Sequence, residues 1–489
     1  MGDKLITLDS ISNNHQDEFE CEFVWEDDTL TRKEIEQLGL WKDVEILEEN
    51  NILKRLTDNR YTFNFVGIIE TTSPSDEELI IVMPKYTNKA RFSKKQNIQH
   101  MSKILKALKK YKDDEKTVEL QQDIFLPSRI GTANRLALAD FFIRDYLERG
   151  IYRENKIIFS TNSNGRIDWK RTIQQYTPIS SNNSFFYPNT VTKKQIVREH
   201  EIISDFHKFV IRYSISRFGK LLGFDFGPDI VPVPKNVVAF KKAMIKGKNS
   251  HIYYSLIKEL RNRFGSRDIQ LLRNLVNFLE PKYSSNSEKL IVGIRNFHNL
   301  WERMIGDIFD PRTKYSMTDE VNKKFREPQW LDLDLTKIHE TGRGKPIPET
   351  VCRVVNDNSK IMVIDSKYYN LDYDEINNKF SGKGPSVNDI IKQIAYEEII
   401  KSHYPDSKIV NCLIFPTNSN QHENKFIRPF STVYIPGVET KAHIINCLVS
   451  PTLAIENYIN DVVLTPQEKL ELFTSCNSFE QKSRQHLEK

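Results

Sequence analysis

One short stretch of the sequence places two opposite charges at the end of an apolar run. Residues 361–369 read IMVIDSKYY, so four apolar side chains lead directly into Asp365, Ser366 and Lys367. If the run is a buried strand, Asp365 and Lys367 project from the same face, about 6–7 Å apart at their Cα atoms. A carboxylate and an ammonium held side by side where a strand meets solvent can bind a cation and act on a water molecule.

A second acid is expected beside this pair. Glu349 follows Pro348 at the start of another apolar stretch, and the turn-like residues 356–360 (NDNSK) connect that stretch to the strand of Asp365. A hairpin of this length brings Glu349 next to Asp365. Two converging carboxylates, with the Ser366 carbonyl as an additional ligand, suit Mg²⁺. With Lys367 acting on a bound water, these groups outline a site for phosphodiester hydrolysis.

The helices on either side of the strands offer further groups. Glu302 lies in the preceding helical pattern NLWERMI, where it is placed to bind the metal or to orient one of its ligands. Gln393 and Tyr396 are three residues apart in the following pattern KQIAYEE, so they share one helix face. We expect this face to contact the metal-bound water, Lys367 or the DNA backbone.

Together these residues resemble the active-site motif of the PD-(D/E)xK nuclease superfamily, in its RecB/McrC-like branch. Glu349 takes the place of the Asp in the PD element, Asp365 the second acidic position and Lys367 the lysine. The flanking-helix matches are Glu302, Gln393 and Tyr396. The resemblance implies a mixed sheet flanked by helices and DNA cleavage with Mg²⁺, for which Mn²⁺ can substitute. It also implies Glu349, Asp365 and Glu302 as metal ligands.

Longer sequence segments resemble particular families within this superfamily. Residues 297–304 (FHNLWERM), 364–370 (IDSKYYN) and 164–173 (NGRIDWKRTI) are similar to LlaJI-type restriction endonucleases, and residues 63–86 are similar to the start of McrC-type nuclease subunits. The resemblance implies a type II or McrBC-like restriction endonuclease that cuts double-stranded DNA in the cytoplasm of a prokaryotic cell. It also implies an McrB-like, GTP-hydrolysing AAA+ subunit and a cognate methyltransferase system as partners. The sequence contains no Walker motif, so such a motor must be another chain.

The order of predicted elements gives an α/β protein of several domains. At 489 residues the chain exceeds one ordinary core. We predict an N-terminal α+β module at 1–125 for DNA recognition or partner docking, and a middle α+β domain at 126–288. A PD-(D/E)xK-like nuclease domain at 289–440 and a helical extension at 441–489 follow. Within the middle domain, residues 156–169 are predicted to form a hairpin.

Composition sets limits on other functions. The five cysteines are far apart and contain no CxxC pair, so the spacing indicates neither a zinc site nor a disulfide framework. The sequence shows no long apolar run or signal peptide, and a cytosolic protein without membrane contact is expected. Net charge is only +5, but residues 89–116 and 235–248 are rich in lysine, as phosphate contacts require.

Several alternatives stay open at this point. Asp365 and Lys367 also fit an ordinary ion pair at a strand end, and the lysine-rich segments fit solvated helix faces. A second reading is a non-catalytic DNA-binding or scaffold protein, whose nuclease fold is degraded at Glu349, where the family usually has Asp. A third reading places an active nuclease in DNA repair or a mobile element. Double-strand cleavage needs two active sites or two sequential nicks, so a homodimer is an expectation only.

Overall fold

The computed structural model describes most of the chain. The described residues are 21–70, 79–87, 92–114, 123–125, 135–181, 184–198, 201–279, 291–331, 338–340, 345–355, 358–369, 372–374, 379–381, 384–417, 426–435 and 443–487. The chain divides into two compact units. The main unit combines Glu20–Leu126 with Ile291–Lys489, and the middle unit contains Pro127–Leu290.

The first part of the main unit builds most of one sheet. Its central strands are continuous apolar runs, as expected for strands covered on both faces, and every residue of Leu79–Met83 is buried. The first helix begins at a capping box formed by Thr31 and Glu34. The elements are β1 (Cys21–Trp25), α1 (Arg32–Gln37), α2 (Val44–Glu49), β2 (Leu53–Arg55), β3 (Tyr61–Phe63), β4 (Phe65–Glu70), β5 (Leu79–Met83), α3 (Lys94–Asp114) and β6 (Ile124–Phe125).

The middle unit has its own helical core and a small sheet. Its elements are α4 (Arg135–Arg149), β7 (Glu154–Thr161), β8 (Arg166–Ile167), α5 (Trp169–Gln175), β9 (Ile179–Ser181), β10 (Ser184–Phe186), β11 (Val191–Arg198), α6 (Glu201–Phe218), α7 (Val237–Lys246), α8 (His251–Arg261) and α9 (Ser266–Leu279). The prediction of a hairpin over residues 156–169 is wrong. Strands β7 and β8 do not pair with each other, because β11 lies between them and pairs antiparallel with both.

The rest of the main unit supplies one strand to the first sheet and all strands of a second sheet. Its elements are β12 (Ile291–Arg295), α10 (Phe297–Phe309), α11 (Met317–Asn322), β13 (Gln329–Leu331), β14 (Ile338–Glu340), β15 (Thr350–Arg353), β16 (Lys360–Ser366), β17 (Asp372–Asp374), β18 (Lys379–Ser381), α12 (Val387–His403), β19 (Lys408–Pro416), β20 (Ile427–Val433), β21 (Ile444–Val449), α13 (Pro451–Ile459) and α14 (Pro466–Leu487).

The first sheet joins distant parts of the chain. Its order is β1-β5-β4-β12-β6, so β12 lies antiparallel between β4 and β6. Gly67 of β4 lies opposite Gly293 of β12, and a Cβ atom on Gly67 would be 2.2 Å from the carbonyl oxygen of Val292. Only glycine allows this close approach of the two backbones. The segment before residue 126 and the segment after 290 therefore share one sheet.

The second sheet is mixed and has helices on both faces. Its order is β15-β16-β19-β21-β20, with β16, β19 and β21 parallel and the two outer strands antiparallel to their neighbours. One face packs against α12, where Val351, Ile361 and Val363 meet Ile400 and Tyr404. On the other face Gly306 of α10 approaches Thr350, and Cys476 of α14 meets Cys447.

The architecture confirms an α/β protein with several sheets. The predicted boundaries at 125/126, 288/289 and 440/441 stay predictions. The strand β21 lies beyond the last of these boundaries and is nevertheless an inner strand of the second sheet. The segment 441–489 is therefore helical only after residue 450, in α13 and α14.

Candidate active site

The candidate site lies where strand β16 ends. Asp365 is the penultimate residue of this strand and is buried. The backbone N–H of Lys367 donates to the carbonyl oxygen of Ile414 at 2.8 Å, which continues the pairing with β19 one residue past the end of β16. The strand predicted over 360–369 is thus present over Lys360–Ser366, and strand β19 fixes the backbone of both Asp365 and Lys367.

Lys367 is surrounded by carboxylates. Its Nζ lies 2.8 Å from Asp365, 3.3 Å from Asp389 and 3.9 Å from Glu349. Although burial disfavours the charged ammonium, these three carboxylates raise the pKa of Lys367 above its ordinary value. The lysine is therefore a fixed positive charge at neutral pH, and a proton-accepting amine is not available in this arrangement.

Glu349 lies beside Asp365, as the sequence predicts. Thr350 pairs with Ile364 in the antiparallel register, which sets the preceding residue Glu349 opposite Asp365. The Oε2 atom of Glu349 accepts a hydrogen bond of 2.7 Å from the backbone N–H of Ser366. Burial, a hydrogen bond with Asp365 and the nearby charges raise the pKa of Glu349 to about 10. The two carboxylates therefore resist carrying two negative charges unless a cation joins them.

Glu302 of α10 is close enough for the charges of Lys367 and Asp365 to shift its pKa. Burial raises the pKa of Glu302, Lys367 opposes the shift and Asp365 adds to it, and together they raise this pKa to about 7. Within the described residues, however, the oxygens of Glu302, Glu349 and Asp365 do not all lie within 4.8 Å of one another. Glu349 and Asp365 form the close donor pair, and Glu302 is a neighbouring acid.

One residue of the site was missed by the sequence analysis. Asp389 forms an ion pair with Lys367 and also accepts a hydrogen bond from the Tyr369 hydroxyl at 3.4 Å. Burial raises its pKa, but the hydrogen bonds from Ser386 and the charge of Lys367 outweigh this and lower it overall. The spacing of Ser386 and Asp389 matches a capping box, which indicates the start of α12 but not the contact with Lys367.

Gln393 and Tyr396 lie on the helix face that covers the site. Tyr396 packs against Phe325, and its pKa is raised by burial and then by Asp365 and Glu349. Gln393 is fully buried, and its side-chain amide has no hydrogen-bond partner among the described residues. No described contact joins that amide to Asp365 or Lys367. An unsatisfied buried amide is nevertheless a group that a bound water or ligand can satisfy.

Tyr368, which follows Lys367, is held by residues at the end of the first sheet. The hydroxyl of Tyr368 donates to Glu26 at 2.5 Å, and the Lys85 backbone N–H donates to the same hydroxyl at 3.3 Å. The ring of Tyr368 packs on Phe297 of α10. Burial raises the pKa of Glu26 to about 7. Tyr368 and Lys367 therefore contact different helices, in agreement with the expected alternation of faces.

Other predicted features contribute less to this site. In the lysine-rich helix α3, Lys103 and Lys110 form ion pairs with Glu456 and Asp461. The five lysines of 235–248 are exposed. Trp169 in the 164–173 string is 54% exposed. Within the described residues, no helix combines the length and apolar character needed to cross a membrane.

The donor set is suited to a hard divalent cation. Glu349 and Asp365 supply oxygens from two adjacent strands, and their mutual repulsion is relieved when a cation binds between them. Lys367 already compensates part of that charge, so one divalent ion leaves the group near neutrality. The residues present thus fit the predicted Mg²⁺, whose binding remains a prediction.

Comparison with known proteins finds similar chains among curated proteins and among solved structures. A component of a type II restriction enzyme, BsuMI component YdjA of Bacillus subtilis (strain 168), is 25% identical over 417 residues, which cover 82% of each chain. Among solved structures, a half-complex of Thermococcus gammatolerans McrB AAA+ hexamers with bound McrC matches with a TM-score of 0.33 and 13% identity, covering 90% of this chain and 98% of that one. The McrBC complex of the same organism gives a TM-score of 0.25 and 12% identity, with coverage of 58% and 85%.

The chain also matches the model of a protein family. The model of the LlaJI restriction endonucleases matches residues 65–446, which is well over half of the chain and includes Glu302, Glu349, Asp365, Lys367, Gln393 and Tyr396. The resemblance predicted from residues 164–173, 297–304 and 364–370 is thereby confirmed. The chain belongs to the LlaJI restriction endonuclease family.

Proposed function

We propose that the protein is a Mg²⁺-dependent DNA endonuclease of a restriction system, with a PD-(D/E)xK-type active site at the end of β16. The observation that carries this proposal is the convergence of Glu349, Asp365 and Lys367, three groups from two strands, at one point. Family membership supports the reaction class. The curated relative supports a role in restriction, because its name describes a restriction-enzyme component.

Each group has a defined part in this proposal. Glu349 and Asp365 hold the metal ion, which when bound polarises the phosphate and lowers the pKa of a water molecule. Lys367 stays protonated and stabilises negative charge on the phosphate. Asp389 and Asp365 fix the direction of the Lys367 side chain through ion pairs at 3.3 and 2.8 Å. Glu302 raises the local negative charge and so favours cation binding.

The partners follow from the family resemblance. We propose double-stranded DNA as the substrate and an McrB-like, GTP-hydrolysing AAA+ protein as the motor subunit. The curated relative is named as a component, which supports a function within a larger enzyme. A cognate methyltransferase would protect the host DNA, and pairing of two active sites in a homodimer would explain double-strand cleavage.

The proposal is tested by plasmid cleavage with Mg²⁺, in the presence and absence of a candidate motor with GTP. Asp365→Ala and Lys367→Ala each remove one converging group, and a loss of about 10³-fold is expected for each. Glu398→Gln and Lys401→Ala, which change exposed groups on α12, serve as matched controls and should cleave normally.

Two outcomes would contradict the proposal. Cleavage that survives both Asp365→Ala and Lys367→Ala would show that the active site lies elsewhere. Absence of cleavage by the natural chain under all conditions, together with DNA binding in a mobility-shift assay, would favour the non-catalytic DNA-binding alternative.

A further inference from the structure

Three of the five cysteines meet in the core of the main unit. Cys412 of β19, Cys447 of β21 and Cys476 of α14 have sulfur atoms that all lie within 4.8 Å of one another. All three side chains are essentially inaccessible to solvent. The spacing rule for cysteines did not predict this group, because Cys447 and Cys476 are 29 residues apart and no CxxC pair occurs.

The distances suit a shared ion. The Sγ atoms of Cys447 and Cys476 are 3.8 Å apart, far beyond the bond length of a disulfide near 2.05 Å, and all three thiols are free. Thiolates that share a metal at about 2.3 Å in tetrahedral geometry are separated by about 3.8 Å. Small adjustments of the third side chain would bring all three sulfurs to that spacing.

The surroundings select for a soft ion. Among the described residues, no His, Asp or Glu joins the trio within the same 4.8 Å limit, so the donor set is sulfur only. Sulfur ligands bind thiophilic ions such as Zn²⁺ and Cu⁺, whereas Mg²⁺ prefers oxygen. The trio would therefore not compete with Glu349 and Asp365 for the same ion.

We propose that Cys412, Cys447 and Cys476 form a binding site for one thiophilic cation, Zn²⁺ or Cu⁺, which ties α14 to the second sheet. The three ligands come from two neighbouring parallel strands and one helix, elements that are distant along the chain. Binding would stabilise the folded state, because the unfolded chain does not hold the three thiols together. Cys412 also pairs with Ile364, directly before Asp365, so the bound ion would support the strand of the candidate active site.

The experiment measures metal in the purified full chain, without reference to DNA cleavage. Protein is produced in medium supplied with Zn²⁺ or with Cu⁺, and metal content is measured by inductively coupled plasma mass spectrometry. The variants are Cys412→Ser, Cys447→Ser and Cys476→Ser. Cys352→Ser is the matched control, since Cys352 is equally buried in the same sheet but outside the trio.

We expect about one ion per chain in the natural protein and in Cys352→Ser, and less than about a fifth of that in each trio variant. The growth medium, with Zn²⁺ or with Cu⁺, from which the purified protein retains metal identifies the ion. If the variants fail to fold, native mass spectrometry of the natural chain and the thiolate-to-metal absorption of its Co²⁺ form still decide the question. Natural protein that contains neither ion, and gives no such absorption after refolding with Co²⁺, would overturn the proposal. Metal retained equally in all variants would do the same.

Discussion

The two faces of the second sheet hold two groups of potential metal ligands that differ in every physical respect. On the face toward α12, oxygen donors and a lysine meet at the end of β16, where Glu349 is partly exposed. On the opposite face, three thiols lie in the core and are inaccessible to solvent. The first group contains charges that repel one another, and the second consists of neutral groups that pack as an ordinary core.

This difference indicates which group costs stability and which contributes to it. Converging carboxylates are retained at the expense of the folded state, as is common where ligands must bind. Buried thiols behave as small apolar side chains and stabilise the core whether or not an ion is present. Removing the Glu349 carboxylate from the face toward α12 (the oxygen face) should therefore reduce activity without reducing stability. Substituting a thiol on the opposite face (the sulfur face) should reduce stability without reducing activity.

The largest expected effect concerns the ion of the oxygen face. Omitting Mg²⁺ should lower plasmid cleavage by about 10³-fold or more, and Mn²⁺ should restore it. The thermal midpoint should hardly change, because an ion present near its dissociation constant contributes only about 0.4 kcal/mol. Cleavage rates and thermal unfolding measured in the same two buffers check both parts. A collapse of the fold without Mg²⁺ would break the distinction between the faces.

The next effect concerns Glu349, which stands where the PD-(D/E)xK pattern usually has Asp. Glu349→Gln should reduce cleavage by about 10²- to 10³-fold, since a neutral amide is a poor ligand for Mg²⁺. In Mg²⁺-free buffer the same variant should unfold at a higher temperature, because a carboxylate next to Asp365 has been removed.

Glu349→Asp is the informative companion variant. It keeps the charge but withdraws the carboxylate by about 1–1.5 Å, which should lower cleavage through misplacement. The hydrogen bond from Ser366 would also be lost. Full activity in Glu349→Asp would show that the backbone adapts to either acid, and full activity in Glu349→Gln would remove Glu349 from the metal site.

The sequence allowed much of the oxygen face to be predicted, and physical reasons explain the rest. Asp365, Lys367 and Glu349 could be placed because strand alternation and a hairpin are local rules. Asp389 has the same spacing as any capping residue, so nothing local showed that it would also meet Lys367. The cysteine trio depends on strand order and helix packing, which spacing does not encode. The false hairpin of β7 and β8 failed for the same reason, because a later strand lies between them.

A smaller effect, on stability, is expected from a substitution of Glu26, whose carboxylate accepts a hydrogen bond from the Tyr368 hydroxyl. Its pKa is raised from 4.5 to about 7 by burial, so the folded state holds this proton more tightly than the unfolded state. Stability present below pH 4.5 is therefore lost as the pH rises to 7, by roughly 3 kcal/mol. Glu26→Gln keeps the acceptor for Tyr368 and should remove this loss, so the variant gains stability over the natural chain between pH 4.5 and 7.

Denaturant unfolding across that pH range measures the difference between the two proteins. Glu22→Gln, which changes an exposed acid on β1 four residues before Glu26, is the control and should run parallel to the natural chain. A Glu26→Gln variant whose stability keeps a constant offset from the natural chain over the whole range would mean that folding does not raise the pKa of Glu26. Tyr368 would then stabilise the fold through the packing of its ring alone.

The smallest effect tests Asp389 as a positioning residue for Lys367. Asp389→Asn removes one of the three carboxylates around Lys367 and weakens the capping box of α12. Ser386→Ala weakens the same cap without touching Lys367, at a cost of about 1 kcal/mol. Cleavage should fall by about 10-fold in Asp389→Asn and change little in Ser386→Ala, while both variants lose similar stability. Equal activity in the two variants would reduce Asp389 to a helix cap, and the oxygen face would then consist of Glu349, Asp365 and Lys367, with Glu302 at its margin.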